Sequence, residues 1–78
     1  MITYGVVLFH TTSAAMRAEK LVVKAGYSVK LVPTPRQFST DCGIALRFEW
    51  NHQHKIKAVL DQAKVEFDAI HFLGKEGA

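Results

Sequence analysis

The chain has one cysteine and two prolines among its 78 residues, and it contains no run of like charges and no long apolar stretch. A single cysteine cannot form a disulfide within the chain, and secreted domains of this size usually depend on several. The apolar run near the amino terminus is too short to span a membrane and lacks the basic residues that begin a signal sequence. These absences predict a cytoplasmic protein with no membrane partner.

Charged residues are also sparse, at 22%, whereas apolar residues make up 49% of the chain. This is enough apolar material for one small core, so we expect a single domain over residues 1–78, with no separate domain for a cofactor and no cofactor. The net charge of +3 comes from scattered Lys and Arg, which favours anionic partners only weakly. A nucleic-acid partner is therefore not indicated.

Residue patterns typical of metal or acid–base chemistry are missing as well. His52 and His54 are two positions apart at a helix start and point to different faces, while His10 and His71 lie on separate predicted strands. The acidic residues form no pair suited to acid–base work, and no glycine-rich phosphate loop occurs. We expect no metal site.

Hydrophobic periodicity predicts three elements in the first half of the chain. Residues 3–9 form a continuous apolar run, as in a central strand. The hydroxyl residues at 11–13 can cap an amphipathic helix, which ends where Gly26 supplies a left-handed position. Residues 27–32 then alternate between apolar and polar side chains, which predicts a half-buried strand.

The second half repeats the same order without a sequence repeat. Residues 44–50 alternate as a strand, and Asn51 is a natural cap for a helix whose apolar positions recur over residues 56–67. A short strand at residues 69–73 follows, and residues 74–78 read as a frayed tail.

The order strand, helix, strand, strand, helix, strand predicts an α+β fold of the ferredoxin-like βαββαβ type. The right-handed crossover rule puts both helices on one face of a four-stranded antiparallel sheet. The other face stays available for association. If that face is apolar, we expect it to mediate a homodimer.

The candidate site is the loop at residues 33–43, which contains both prolines and the cysteine. Its prolines favour an ordered but irregular segment, which would hold Arg36 close to Cys42. A nearby cation lowers a cysteine pKa, and the thiolate is the nucleophilic form. Gly43 would let backbone or substrate approach closely.

The same residues carry a resemblance to a known family. Pro35 with Arg36, then Ser39, Cys42 with Gly43, and the Ala-Leu-Arg-Phe sequence at residues 45–48 resemble the selenium/sulfur carrier-like family of very small bacterial proteins. The resemblance covers essentially the whole chain and implies sulfur or selenium chemistry at the cysteine. The chain departs from it in having Thr40 and Asp41 before the cysteine, and the Asp41 carboxylate would raise the thiol pKa.

The predicted site therefore has Cys42 as the reacting residue. Its predicted binding residues would donate hydrogen bonds to a ligand or leave space for it, and they are Arg36, Ser39, Thr40, Gly43 and Arg47. Each has a simpler alternative. The cysteine can be a small buried hydrophobe at a strand start, the hydroxyls can satisfy turn backbone, and the arginines can be solvated charges.

Three classes of function fit these residues. The first is a carrier, more an accessory protein than a turnover enzyme, in which Cys42 takes sulfur or selenium from a donor protein and passes it to an acceptor protein. With no second cysteine, a dithiol mechanism within one chain is not available. The second is a regulatory module that binds an anion or nucleotide at Arg36 and Gly43. The third is an RNA-binding module, which the lack of interleaved aromatic and basic residues on a strand opposes.

Overall fold

The computed structural model describes residues 2–38 and 43–75. The elements follow in the order β1 (Thr3–Leu8), α1 (Thr12–Lys24), β2 (Val29–Pro33), β3 (Ile44–Glu49), α2 (Gln53–Gln62) and β4 (Ala69–Lys75). A short 3₁₀ helix at Trp50–His52 joins β3 to α2. The predicted βαββαβ order is confirmed.

The strands form one antiparallel sheet in the order β2-β3-β1-β4, which is the ferredoxin-like arrangement. Strand β1 lies in the middle, so Val7 is opposite Leu46 on one side and Ile70 on the other. Strands β2 and β4 are the two edges. The loop between residues 33 and 43 therefore belongs to a hairpin at one edge of the sheet.

Both helices pack on the same face of this sheet, which we call the inner face. Its buried core combines residues of the two central strands with one stripe from each helix: Val7, Leu46, Phe48, Ala15, Ala18, Val22, Ile56 and Leu60. Ala15 and Ala18 of α1 are fully buried, so this helix can lie close to the strands. The opposite side, the outer face, includes Tyr4, Val6, Leu8, Ala45 and Arg47, because side chains alternate along each strand.

Helix α1 begins and ends as the sequence predicts. The Thr11 side-chain oxygen accepts a hydrogen bond from the Ala14 N–H at 3.1 Å. At the other end Gly26 has φ 100°, and the Tyr27 N–H donates to the Val22 carbonyl at 3.2 Å. Glycine adopts this positive φ without a steric penalty, so the last turn closes on its own carbonyls.

The start of α2 and the chain beyond β4 differ from the prediction. Asn51 is not the cap of α2, because it lies inside the 3₁₀ helix and His52 precedes α2 without a capping side-chain hydrogen bond. Strand β3 ends at Glu49, since Trp50 already belongs to that 3₁₀ turn. The predicted frayed tail is wrong for Gly74 and Lys75, which extend β4 by pairing with the start of β1.

The end of α2 also comes earlier than the apolar spacing predicts. The helix ends at Gln62, and Lys64 takes a left-handed φ of 58°. The Val65 N–H then donates to the Leu60 carbonyl at 2.9 Å, which closes the helix as a glycine-type cap would. Phe67 is therefore not a helical residue. It packs against the core from the connection to β4.

Lys64 should be a position where glycine raises stability. A left-handed backbone costs a side-chain-bearing residue about 1–2 kcal/mol, and glycine avoids this while losing about 0.5–1 kcal/mol in chain entropy. We expect Lys64→Gly to raise the free energy of unfolding by about 0.5 kcal/mol in urea titrations. The matched change Lys24→Gly, inside the last turn of α1, should lower it by about 1 kcal/mol. Equal losses in both variants would contradict the left-handed cap.

Candidate functional site

The ends of the candidate loop are held together by the β2–β3 hairpin. Pro33 is opposite Ile44 in the last strand pair, and the Thr34 N–H donates to the Gly43 carbonyl at 3.0 Å. Proline can occupy this place because β2 is an edge strand, where a missing backbone donor is tolerated. The two ends of the loop are thus fixed next to each other by the edge of the sheet.

The first part of the loop is a tight turn that exposes Arg36. The Phe38 N–H donates to the Pro35 carbonyl at 3.0 Å, which closes a four-residue turn with Arg36 at its second position. Arg36 is exposed, and within the described ranges it forms no ion pair with a carboxylate. Its charge is therefore available to a group outside those ranges or to a bound anion.

Four residues that the sequence analysis named lie outside the described residues: Ser39, Thr40, Asp41 and Cys42. The roles assigned to them stay predictions. Gly43, which follows the cysteine in the sequence, is exposed, and a Cβ built there would meet no atom of the described residues within 4 Å. The close approach expected at Gly43 stays a prediction.

A shallow apolar depression of about 250 Å³ adjoins Gly43 at the edge of the sheet. It is lined by residues of the hairpin, namely Leu31, Val32, Pro33, Gly43 and Ile44. Its lining is mostly apolar, so a partner bound here would exclude water from the adjoining residues of the hairpin. The sequence analysis did not predict this depression, because it depends on how β2 and β3 are paired.

Arg47 lies away from the loop ends. It is four residues along β3 from Gly43, which corresponds to about 13 Å at the usual strand rise. Its guanidinium carbon is 4.4 Å from the centre of the Tyr4 ring, and Lys30 is directly opposite it on β2. The structure thus joins Arg47 to Tyr4 and Lys30, and does not bring it to Gly43.

Phe38 packs onto the outer face instead of pointing away from the sheet. Its ring stacks on His71 of β4 with a centroid distance of 4.4 Å and an interplanar angle of 11°. It also covers the buried cluster of Val6, Leu8 and Ala45. The outer face is therefore partly covered by the loop, so the homodimer expected of an apolar open face stays a prediction. The one signal in the sequence was that Phe38 is the only aromatic residue of the loop.

Metal-binding clusters and membrane-spanning helices are absent from the described residues. Across residues 2–38 and 43–75, no three His, Cys, Asp or Glu residues come close enough together to hold a metal ion. None of the helices in that part of the chain is long and apolar enough to cross a membrane.

These features define a small ferredoxin-like domain whose edge hairpin supports a loop with the single cysteine of the sequence. The chain belongs to the family described as "Putative Se/S carrier protein-like", whose model matches residues 4–71. The match includes the whole loop and confirms the resemblance noted in the sequence. No curated protein and no solved structure matches the chain at a significant level.

Proposed function

We propose that this protein carries sulfur or selenium on Cys42 between a donor protein and an acceptor protein. The observation that carries the proposal is the family match over residues 4–71, within which Cys42 is the only thiol. One thiol is sufficient for a carrier, because the atom arrives and leaves on the same sulfur. A mechanism that makes and breaks an internal disulfide would need a second cysteine.

The transfer of sulfur onto Cys42 needs no added oxidant, because the transferred sulfur is already at the persulfide oxidation level on the donor. The Cys42 thiolate attacks the outer sulfur of a persulfide on the donor, so a new S–S bond forms on Cys42 while the donor's S–S bond breaks. The donor's own sulfur leaves as a thiolate. An acceptor nucleophile then attacks the outer sulfur of the Cys42 persulfide and releases the Cys42 thiolate. A donor with selenium in the outer position would give a selenosulfide by the same displacement.

The described ends of the loop support this role. Arg36 is exposed in the turn that begins the loop, and a guanidinium near a thiol favours the thiolate. Gly43 has no described atom within 4 Å of a Cβ built on it, which fits the open approach to the neighbouring residue that a donor's persulfide needs. The hydrogen bond from Thr34 to Gly43 fixes the two ends of the loop, so less conformational freedom is lost when a partner binds.

Donor and acceptor proteins would bind at the edge of the sheet. The apolar depression lined by Gly43 offers a contact surface at the residue that follows Cys42 in the sequence. The carrier would act in the cytoplasm, because a carrier thiol must stay reduced between transfers and the cytoplasm keeps thiols reduced.

The reactivity of Cys42 separates a carrier thiol from a structural one. We expect a thiol pKa below the ordinary value of about 8.5, read from the pH dependence of the alkylation rate. Arg36→Ala should raise this pKa, because the stabilising cation is lost. Asp41→Ala should lower it, because a neighbouring negative charge is removed. A matched change of a distant exposed cation, Lys20→Ala, should leave it unchanged.

Two outcomes would count against the carrier. One is a Cys42 thiol that stays unreactive in the folded protein over the whole pH range. The other is a pKa that moves by the same amount in Arg36→Ala and Lys20→Ala, since this would indicate only the net charge of the protein.

A further inference from the structure

Two positive charges face each other on the outer face of the sheet, on the paired strands β2 and β3. Lys30 of β2 is directly opposite Arg47 of β3. Like charges in directly opposite positions of an antiparallel pair destabilise the sheet. Among the described residues, neither of the two forms an ion pair with a carboxylate. The pair therefore concentrates positive charge at one place on the outer face.

Arg47 is held in place by an aromatic ring. It is half-buried, and its guanidinium carbon is 4.4 Å from the centre of the Tyr4 ring. A guanidinium placed over a ring is attracted to the ring face, and this attraction does not use its N–H groups as hydrogen-bond donors to oxygen. Those N–H groups form a fork that matches two oxygens of one anion. Tyr4 thus prepares Arg47 for an oxyanion.

The two cations line a hollow large enough for a ligand. Its volume is about 450 Å³, and its other lining residues include Ser28, Tyr4 and Glu49. Sites for small molecules usually have volumes of about 300–1,000 Å³. Ser28 and Tyr4 add hydroxyl groups, which can donate hydrogen bonds to an anion.

Glu49 is the one acidic residue in this lining. Its carboxylate Oε2 is 3.7 Å from Nδ1 of His52, which lies in the 3₁₀ turn after β3. This contact is an ion pair only when the imidazole is protonated, and among the described residues Glu49 forms no ion pair with Lys30 or Arg47. The negative charge of Glu49 still opposes an anion in the hollow, so its removal should strengthen anion binding.

We infer that the hollow between Lys30, Arg47 and Tyr4 binds the phosphate group of a ligand. The arginine fork would hold two phosphate oxygens, and the lysine would add a point charge from the opposite strand. The same chemistry is offered by a small phosphorylated molecule and by the backbone of a single-stranded nucleic acid. None of the described residues that line the hollow belongs to the loop at residues 33–43, so the inference does not rest on the carrier function.

The inference is tested by titrating the folded, isotope-labelled protein with inorganic phosphate, pyrophosphate, a nucleoside monophosphate and a short single-stranded oligoribonucleotide. Chloride at matched ionic strength is the reference. We expect saturable shifts of the amide signals of β2 and β3 that chloride does not produce. Saturation by the small phosphates alone identifies a small ligand, and saturation by the oligonucleotide alone identifies a nucleic acid. Both results support a phosphate site.

Three charge variants decide whether the hollow is the site. Lys30→Gln should weaken binding at least tenfold and raise the melting temperature, because the repulsion of Arg47 is removed. Glu49→Gln should strengthen binding. Lys20→Gln, on the exposed side of α1, removes the same charge as Lys30→Gln and should change affinity less than twofold.

Lys30→Gln is the decisive variant, because Lys30 is exposed and its replacement should not disturb the fold. Arg47→Gln is a second test, used once circular dichroism shows that it has the fold of the parent. Cys42→Ser should bind phosphate like the parent chain. The inference is overturned if no probe gives saturable shifts beyond those of chloride. It is also overturned if Lys20→Gln weakens binding as much as Lys30→Gln does.

Discussion

Replacing Gly5 by alanine is expected to lower the free energy of unfolding by about 1–3 kcal/mol, the range for overpacking a well-filled core. A Cβ at this position would overlap the Trp50 ring, at 2.8 Å from its Cζ3 atom, and would lie 2.9 Å from the His71 carbonyl oxygen. The carbonyl belongs to the backbone of β4 and cannot rotate away. Trp50 is itself packed edge-on against Phe72, with ring centres 5.1 Å apart.

The loss should be large for a domain of this size, since small domains are stable by only about 5 kcal/mol or somewhat more. Urea unfolding followed by Trp50 fluorescence and by circular dichroism measures it. Gly43→Ala is the matched control, because no atom of the described residues lies within 4 Å of the added carbon and its φ is not left-handed. We expect a change of at most about 0.5 kcal/mol there, or a small gain. A Gly5→Ala protein as stable as the parent would show that Trp50 moves without cost.

Cys42→Ser is expected to abolish sulfur transfer completely while leaving the fold unchanged. The substitution keeps the size and polarity of the side chain nearly constant, but a hydroxyl does not ionise near neutral pH as a thiol does. Transfer is measured as labelled sulfur that reaches an acceptor after incubation with a persulfide donor. Circular dichroism on the same samples shows that the variant is folded.

Arg36→Ala is the informative companion to this variant. In a carrier it should slow loading without preventing it, because the thiol remains and only the stabilisation of the thiolate is lost. In a module that binds an anion at Arg36, the same change would remove a charge-assisted contact of about 1.5–3 kcal/mol, whereas Cys42→Ser would keep most of the affinity. A folded Cys42→Ser protein that transfers sulfur like the parent would contradict the carrier proposal.

The sequence predicted the fold because its apolar period changes clearly from strand to helix and back. The alternation of Val29 and Leu31 with Lys30, and of Leu46 and Phe48 with Arg47, assigned the two sheet faces correctly. The errors occur where local patterns mislead. Phe67 continues a helical spacing, but the backbone has already turned at Lys64, a residue type that rarely adopts a left-handed φ.

The hollow at Lys30 and Arg47 was less predictable than the fold, because its geometry depends on strand register. Side-chain alternation fixes which face Lys30 and Arg47 occupy, but it does not say that they are directly opposite each other. The pairing follows from the register of the β2–β3 hairpin. This register cannot be read from the sequence, because the loop that joins the two strands is not a regular turn of known length. The packing of Phe38 on His71 was missed for the same reason, since it joins a loop to a distant strand.

The most direct test of the central claim is the intact mass of the parent protein after incubation with a cysteine desulfurase and cysteine. The carrier account predicts one added sulfur atom per chain, located on Cys42 by peptide mapping and removed by a thiol reductant. A chain that gains no mass while its thiol remains accessible to alkylation, or that gains the same mass after Cys42→Ser, would contradict it.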